Sequence, residues 1–186
     1  TVLWKQKMLA LTLNEHLNNP LLNNAPAHVL QGSPIYALTH FSTLGNYVAC
    51  KWLISTFMIT VRDMRSVHNE PLRRAAANGY LMICKLLSNE FALTRHDCIV
   101  CDNEALRLAA TNGHLNVCIW LASEFKLTYA DAMTNDNEAL CMAAENGHAR
   151  VVLWLVCHFG MSNQDVSKVH PWFVRSLFYL IEKDAV

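Results

Sequence analysis

The sequence predicts an all-α protein: an α-solenoid of stacked helix–turn–helix repeats with a helical cap at each end. Three observations predict it. Six Gly and five Pro in 186 residues leave little turn chemistry for a many-stranded sandwich or barrel, which needs a turn about every 8–12 residues. Apolar residues recur at i, i+3 and i+4, the spacing of one helix face. Most directly, the chain repeats itself. Asn103-Glu104-Ala105-Leu106-Arg107-Leu108-Ala109-Ala110-Thr111-Asn112-Gly113-His114 returns 34 residues later as Asn137-Glu138-Ala139-Leu140-Cys141-Met142-Ala143-Ala144-Glu145-Asn146-Gly147-His148. The same shift backwards lands on Asn69-Glu70-Pro71-Leu72-Arg73-Arg74-Ala75-Ala76-Ala77-Asn78-Gly79-Tyr80. Such self-similarity means stacked units, because one unit cannot bury its apolar face alone.

The elements follow in order. Residues 1–34 form an N-terminal cap region: 2–17 read as an amphipathic helix and 18–31, rich in Asn and Pro, as a loop. Ser33-Pro34 supplies an N-cap and an N1 proline. Four units come next, 35–68, 69–102, 103–136 and 137–170, the first a weaker copy with Leu38, Gly45, Trp52, Leu53 and Phe57 in register. Leu38, Leu72, Leu106 and Leu140 begin a short helix. The pairs Ala75-Ala76, Ala109-Ala110 and Ala143-Ala144 let a neighbour approach closely, and Gly45, Gly79, Gly113 and Gly147 end the helix in a left-handed cap. His114 and His148, just after that Gly, are expected to bond local backbone. A second helix carries the buried stripe Ile83, Leu86 and Leu87, then Val117, Trp120 and Leu121, then Val151, Trp154 and Leu155, closed by Phe57, Phe91, Phe125 and Phe159. This places Trp52, Trp120 and Trp154 in the core.

Each connector has its own pattern: Thr60 to Asp63, Thr94 to Asp97, Thr128 to Asp131 and Ser162 to Asp165 are a hydroxyl and, three residues on, a carboxylate. That spacing is a capping box. It predicts a short helical turn in each connector in place of a β-hairpin. After His170 the chain restarts with Pro171-Trp172-Phe173-Val174, but Leu177-Phe178 replaces the Ala pair and Ile181 the Gly. Residues 171–186 are therefore expected to be a C-terminal cap helix.

The run Ala/Pro-Leu-x-x-Ala-Ala-x-Asn-Gly-His-Leu, followed by Val-x-x-Trp-Leu, resembles the helix–turn–helix of ankyrin repeats over roughly residues 35–170. It departs from the usual form at several places. Glu70-Pro71, Glu104-Ala105 and Glu138-Ala139 replace the opening Thr-Pro. Arg73, Arg107 and Cys141 replace the His that makes that motif's inter-repeat hydrogen bonds. There is no Gly-Ala-Asp-Val-Asn hairpin, and the unit has 34 residues rather than the common 33. In these respects the chain is similar to the divergent ankyrin arrays of protists, giant viruses and some intracellular bacteria.

Composition narrows the function. The chain is 53% apolar and 16% charged, enough to bury a core, which excludes a disordered tail. Fifteen basic and fifteen acidic side chains cancel, so no global field steers it to nucleic acid or an anionic membrane. It has no Gly-rich phosphate loop and no basic stripe with interleaved aromatics. Residues 16–50 lack charge but are broken by Asn, His and Pro, and 52–61 are too few to cross a bilayer. Seven cysteines, an odd number without a signal peptide, indicate a reducing, intracellular setting, delivery into a host cell included. The start at Thr1 indicates a piece of a longer product.

No cofactor and no metal are expected. Cys98 and Cys101, preceded by His96, have ligand spacing, but a tetrahedral zinc site takes about four ligands and no second pair exists. The Cys98 column otherwise holds Met64, Ala132 and Val166, which makes it a packing position. Cys50, Cys84 and Cys118 share a column with Val152 and read as small buried hydrophobes. Cys141, on the first helix, is expected to be an exposed thiol.

The resemblance implies protein binding by a concave strip of first helices and connector tips, without catalysis. The positions there that vary between units are Arg62, Arg73, Ala77, Arg95, Arg107, Thr111, Tyr129, Cys141, Glu145 and Asn163. The alternatives are an architectural or targeting segment of a larger multidomain protein, such as a host-directed effector, and a Cys-dependent enzyme or metal sensor. Charge sharpens the first of these. Residues 1–93 carry eight basic and four acidic side chains (+4), and 94–186 carry seven and eleven (−4). A stack that keeps sequence order in space separates these poles, so the partner should carry charge in the reverse sense and bind more slowly as salt rises.

Overall fold

The computed structural model describes residues 33–167, among which there are twelve helices and no strand. They come in threes. The first repeat holds α1 (Pro34–Leu44), α2 (Tyr47–Phe57) and α3 (Val61–Ser66). The second holds α4 (Glu70–Ala77), α5 (Leu81–Phe91) and α6 (Arg95–Cys98), and the third α7 (Val100–Thr111), α8 (Leu115–Glu124) and α9 (Tyr129–Ala132). The fourth holds α10 (Thr134–Glu145), α11 (Ala149–Phe159) and α12 (Asn163–Val166). The expected caps at 1–34 and 171–186 lie outside the described residues, apart from Ser33 and Pro34. Ser33 stands in extended backbone ahead of the N1 proline, as the sequence predicts.

The chain divides into two compact units, one running to Ala75 and including Met82–Leu93, the other made of Ala76–Leu81 and the chain from Thr94. In the first, α1 packs against α2 around Leu38, Cys50 and Leu53, all fully buried. In the second, α7 packs against both α8 and α10, and α10 against α11. Leu106, Leu121, Leu140 and Leu155 fill its core at 0% exposure, and Ala109, Ala110 and Ala143 are as deeply buried. A methyl is all that the close approach of α7 to α10 accommodates, which is why these columns hold Ala.

The connectors are helical turns, as predicted. Asp97 Oδ2 accepts from the Thr94 N–H at 3.0 Å, Asp131 Oδ2 from the Thr128 N–H at 2.6 Å and Asp165 Oδ2 from the Ser162 N–H at 2.7 Å. Thr60 and Asp63 form the same box. Each satisfies two of the orphan donors at a helix start, contributing about 1 kcal/mol.

Three features differ from expectation. The first concerns the histidines, which act across repeats and not on local backbone. A Cβ built on Gly79 would meet the His114 ring at 2.6 Å, and one on Gly113 the His148 ring at 2.5 Å. Both glycines have φ near +76°. They are thus required twice, by backbone hand and by an imidazole occupying the side-chain position.

The second is the tryptophan column. Trp52, Trp120 and Trp154 are half-buried rather than core. Leu86 fits the same column at 7% exposure, but an indole overhangs the edge of the stripe and lies edge-on to the Phe five residues later. The ring centroids are 5.5, 5.6 and 5.7 Å apart in the three repeats.

The third is left-handed backbone between connector and first helix. Cys101, Asp102 and Asn103 have φ of 54°, 55° and 54°, and Asn135, Asp136 and Asn137 have 52°, 59° and 63°. His68 and Asn69 repeat the turn in shorter form. Asp and Asn tolerate this region better than other side-chain-bearing residues.

Candidate functional site

Two ladders of side-chain bonds join successive repeats in the second unit. On the turn side, Asn112 Nδ2 donates to the Ala77 carbonyl at 2.7 Å and Asn146 Nδ2 to the Thr111 carbonyl at 3.0 Å. The Asn-Gly-His turn is therefore a joint: the amide caps the preceding repeat's first helix while the imidazole covers its Gly. Burial lowers the pKa of His114 despite a hydrogen bond to the Ala77 backbone, and the charge of His148 lowers it further.

On the connector side, the carboxylates of the last two capping boxes, Asp131 and Asp165, also receive the preceding connector. Arg95 donates through Nη2 to both oxygens of Asp131, at 2.7 and 2.8 Å, and Tyr129 donates its hydroxyl to Asp165 Oδ1 at 3.1 Å. Burial pushes the Asp131 pKa up, but the bonds from Arg95 and Thr128 outweigh it and hold the carboxyl below its ordinary value. Between the ladders, Asn103 Nδ2 donates to the Asp131 carbonyl at 3.0 Å and Asn137 Nδ2 to the Asp165 carbonyl at 3.4 Å. Arg107 donates Nη1 to Glu138 at 2.5 Å, and its other nitrogens to the Asp102 and Cys101 carbonyls at 2.8 and 3.1 Å. Inter-repeat bonds of a His at this position are thus replaced by those of an Arg.

The variable positions separate on this map. Arg95, Arg107 and Tyr129 reach the next repeat's acids, although Arg95 and Tyr129 stay exposed. Thr111 is half-buried and bonds the Arg107 carbonyl at 2.8 Å. Arg73 is half-buried, its Nε on the His68 carbonyl at 3.0 Å, and Ala77 is half-buried beside Asn112. Arg62, Glu145 and Asn163 are exposed. Cys141, expected to be exposed, is half-buried.

Along α7 and α10 the positions turned away from the core are Glu104, Arg107, Leu108 and Thr111, and Glu138, Cys141, Met142 and Glu145, each set at helical spacing. The sequence does not single out Leu108 and Met142 as surface, or Asn103 and Asn137 as joints. The second omission had a signal: an Asn opens three units where no helix role demands it.

Cys98 is buried at the end of α6, while Cys101 is exposed on the left-handed turn. No group of three or more His, Cys, Asp or Glu that could hold a metal occurs among the described residues. Burial pushes the Cys50 thiol up to about 11 and those of Cys84 and Cys118 up to about 12, so they pack as the hydrophobes their column suggests. No described helix is long and apolar enough to cross a membrane.

Helix pairs in 34-residue register, joined by Asn, His and Arg side chains reaching the neighbouring repeat, define a helical repeat protein. The sequence model described as ankyrin repeats (3 copies) matches residues 72–168, and the chain belongs to that family. Residues 35–68 precede the match but hold the same succession of helices. No curated protein and no solved structure matches significantly. Ankyrin repeats are generally protein–protein interaction modules and typically non-enzymatic.

Proposed function

We propose that this chain binds another protein, without catalysis, through the outward positions of its first helices and its connector tips. The residues involved are Arg62, Arg73, Ala77, Arg95, Arg107, Thr111, Tyr129, Cys141, Glu145 and Asn163. The observation that carries this reading is the division of labour within α7 and α10. Leu, Ala and Asn columns hold the repeats together, and a second set at i, i+3, i+4 and i+7 turns outward, a Glu at its first position and a residue that differs between α7 and α10 at each of the other three. Arg95 and Tyr129 serve both roles, since a guanidinium or phenol tethered at one edge meets a partner already ordered, with less entropy to lose. The protein works in a reducing compartment, where the three core thiols keep their hydrogen-capped, buried form.

A photo-crosslinking amino acid placed at Met142, Glu145 or Asn163 tests the surface, with Lys85 on the exposed side of α5 as the control position. Adducts to one and the same protein from the first three sites, and not from Lys85, are expected. Adducts from Lys85 alone, or equally from all four sites, would reject the assignment.

A further inference from the structure

The outward face of α7 and α10 has a pattern of its own. Leu108 and Met142, one 34-residue step apart on packed helices, are half-buried apolar side chains in its middle row. In α4 the same column holds Arg74, an exposed base bonded to Glu70 at 3.0 Å. Around Leu108 and Met142 stand Glu104, Glu138 and Glu145 on the helices and Asp102 and Asp136 on the turns before them. Against these five carboxylates the only base at these positions is Arg107, a balance of −4, and its guanidinium is shared with Glu138 and two turn carbonyls. The corresponding positions of α4 carry Glu70, Arg73 and Arg74, a balance of +1.

We infer that the α7/α10 face receives a basic segment of another protein, whose apolar side chains seat on Leu108 and Met142 while Lys or Arg side chains meet the surrounding carboxylates. This rests on the protein-binding reading above and specifies the partner's chemistry. Packed helix axes lie about 8–10 Å apart, a distance that a segment in polyproline II conformation spans in one three-residue turn at ~3.1 Å per residue, with residues i and i+3 on the same side. The segment therefore carries two apolar residues three apart, with Lys or Arg adjoining them. Apolar contact supplies affinity at the centre, and the acidic surround selects sign and speeds encounter.

A library of random twelve-residue peptides displayed on phage and selected on the full chain tests this, with enriched sequences resynthesised and measured by fluorescence anisotropy. The expected sequences pair apolar residues at i and i+3 with two or more Lys or Arg. Their Kd should rise about ten-fold in the Glu104→Lys/Glu145→Lys variant and again in Met142→Glu, with thermal melts showing each variant folded. It should also rise several-fold between 50 and 300 mM salt. Acidic or neutral winners, or basic winners whose Kd ignores both variants, overturn the inference while leaving the crosslinking result standing. A library that yields no binder overturns it as well, and only crosslinking that also finds no partner would remove the reading beneath it.

Discussion

Replacing Asn103 separates two contributions that the left-handed turn combines. The residue is fully buried at φ 54° and ψ 42°, and its Nδ2 donates to the Asp131 carbonyl at 3.0 Å. That carbonyl also accepts from Thr134 Oγ1 at 3.0 Å, so losing the amide leaves it partly satisfied. The hydrogen bond is then worth about 1 kcal/mol. Asn103→Ala loses it and puts a side chain with no compensating local bond into left-handed backbone, about 1 kcal/mol more. Asn103→Gly loses the bond but relieves the backbone. The expected destabilisation is about 2 kcal/mol for Ala and about 1 for Gly, read from urea midpoints at constant m-value. For a chain of this size 2 kcal/mol corresponds to a fall of about 4–8 °C in Tm. Should Gly prove as damaging as Ala, or should both cost under about 0.5 kcal/mol, the account of this turn fails.

Other outcomes follow from the joints and the thiols. Gly113→Ala should be far worse than Gly147→Ala in thermal melts: both carry φ of +77°, a strain of about 1 kcal/mol, but only at Gly113 does the new methyl strike an imidazole, and nothing described lies within 4 Å of it at Gly147. Because the folded-state pKa of Asp131 is depressed, its stabilisation is fully present above the ordinary carboxylate pKa of about 3.9 and is lost as pH falls through the lower folded value. The stability gap between the protein and Asp131→Asn should therefore be constant above about pH 5 and close below pH 4. With a thiol reagent at neutral pH, exposed Cys101 and Cys157 should react first and half-buried Cys141 more slowly, while Cys50, Cys84, Cys98 and Cys118 wait for unfolding. A fast-reacting core thiol would contradict the packing described.

What the sequence revealed and what it hid divide along a physical line. Features local to one unit, such as the Thr–Asp capping boxes, the Gly caps and the Leu and Ala columns, show themselves by recurring, because each repeat meets the same local demand. Contacts between repeats do not. Arg95 with Asp131 and Tyr129 with Asp165 are one structural position filled by two chemistries, and the changing residue looked like freedom from constraint. His114 reads as a partner of local backbone because its neighbour across the joint, Gly79, has no side chain to betray the contact. The tryptophans followed their column's apolar character, but a column records polarity better than volume, and an indole exceeds what Leu86 fills. At the candidate site the outward positions of α7 and α10 follow from helical spacing alone. That Arg107 serves the turn carbonyls depends on the left-handed backbone, at which the recurring Asp102 and Asp136 and Asn103 and Asn137 only hint.

The cross-repeat side-chain bonds described above join residues only 28 to 36 positions apart. No such contact demands that distant parts of the chain find each other first, so the loop-closure entropy of each is small and nearly the same. Ordering therefore needs only a pair of neighbouring units, and further repeats add one at a time onto an existing edge. A growing chain can begin this way as soon as two repeats that share such a joint have left the ribosome, and damage at one joint lets the structure fray from there while leaving the other repeats to hold.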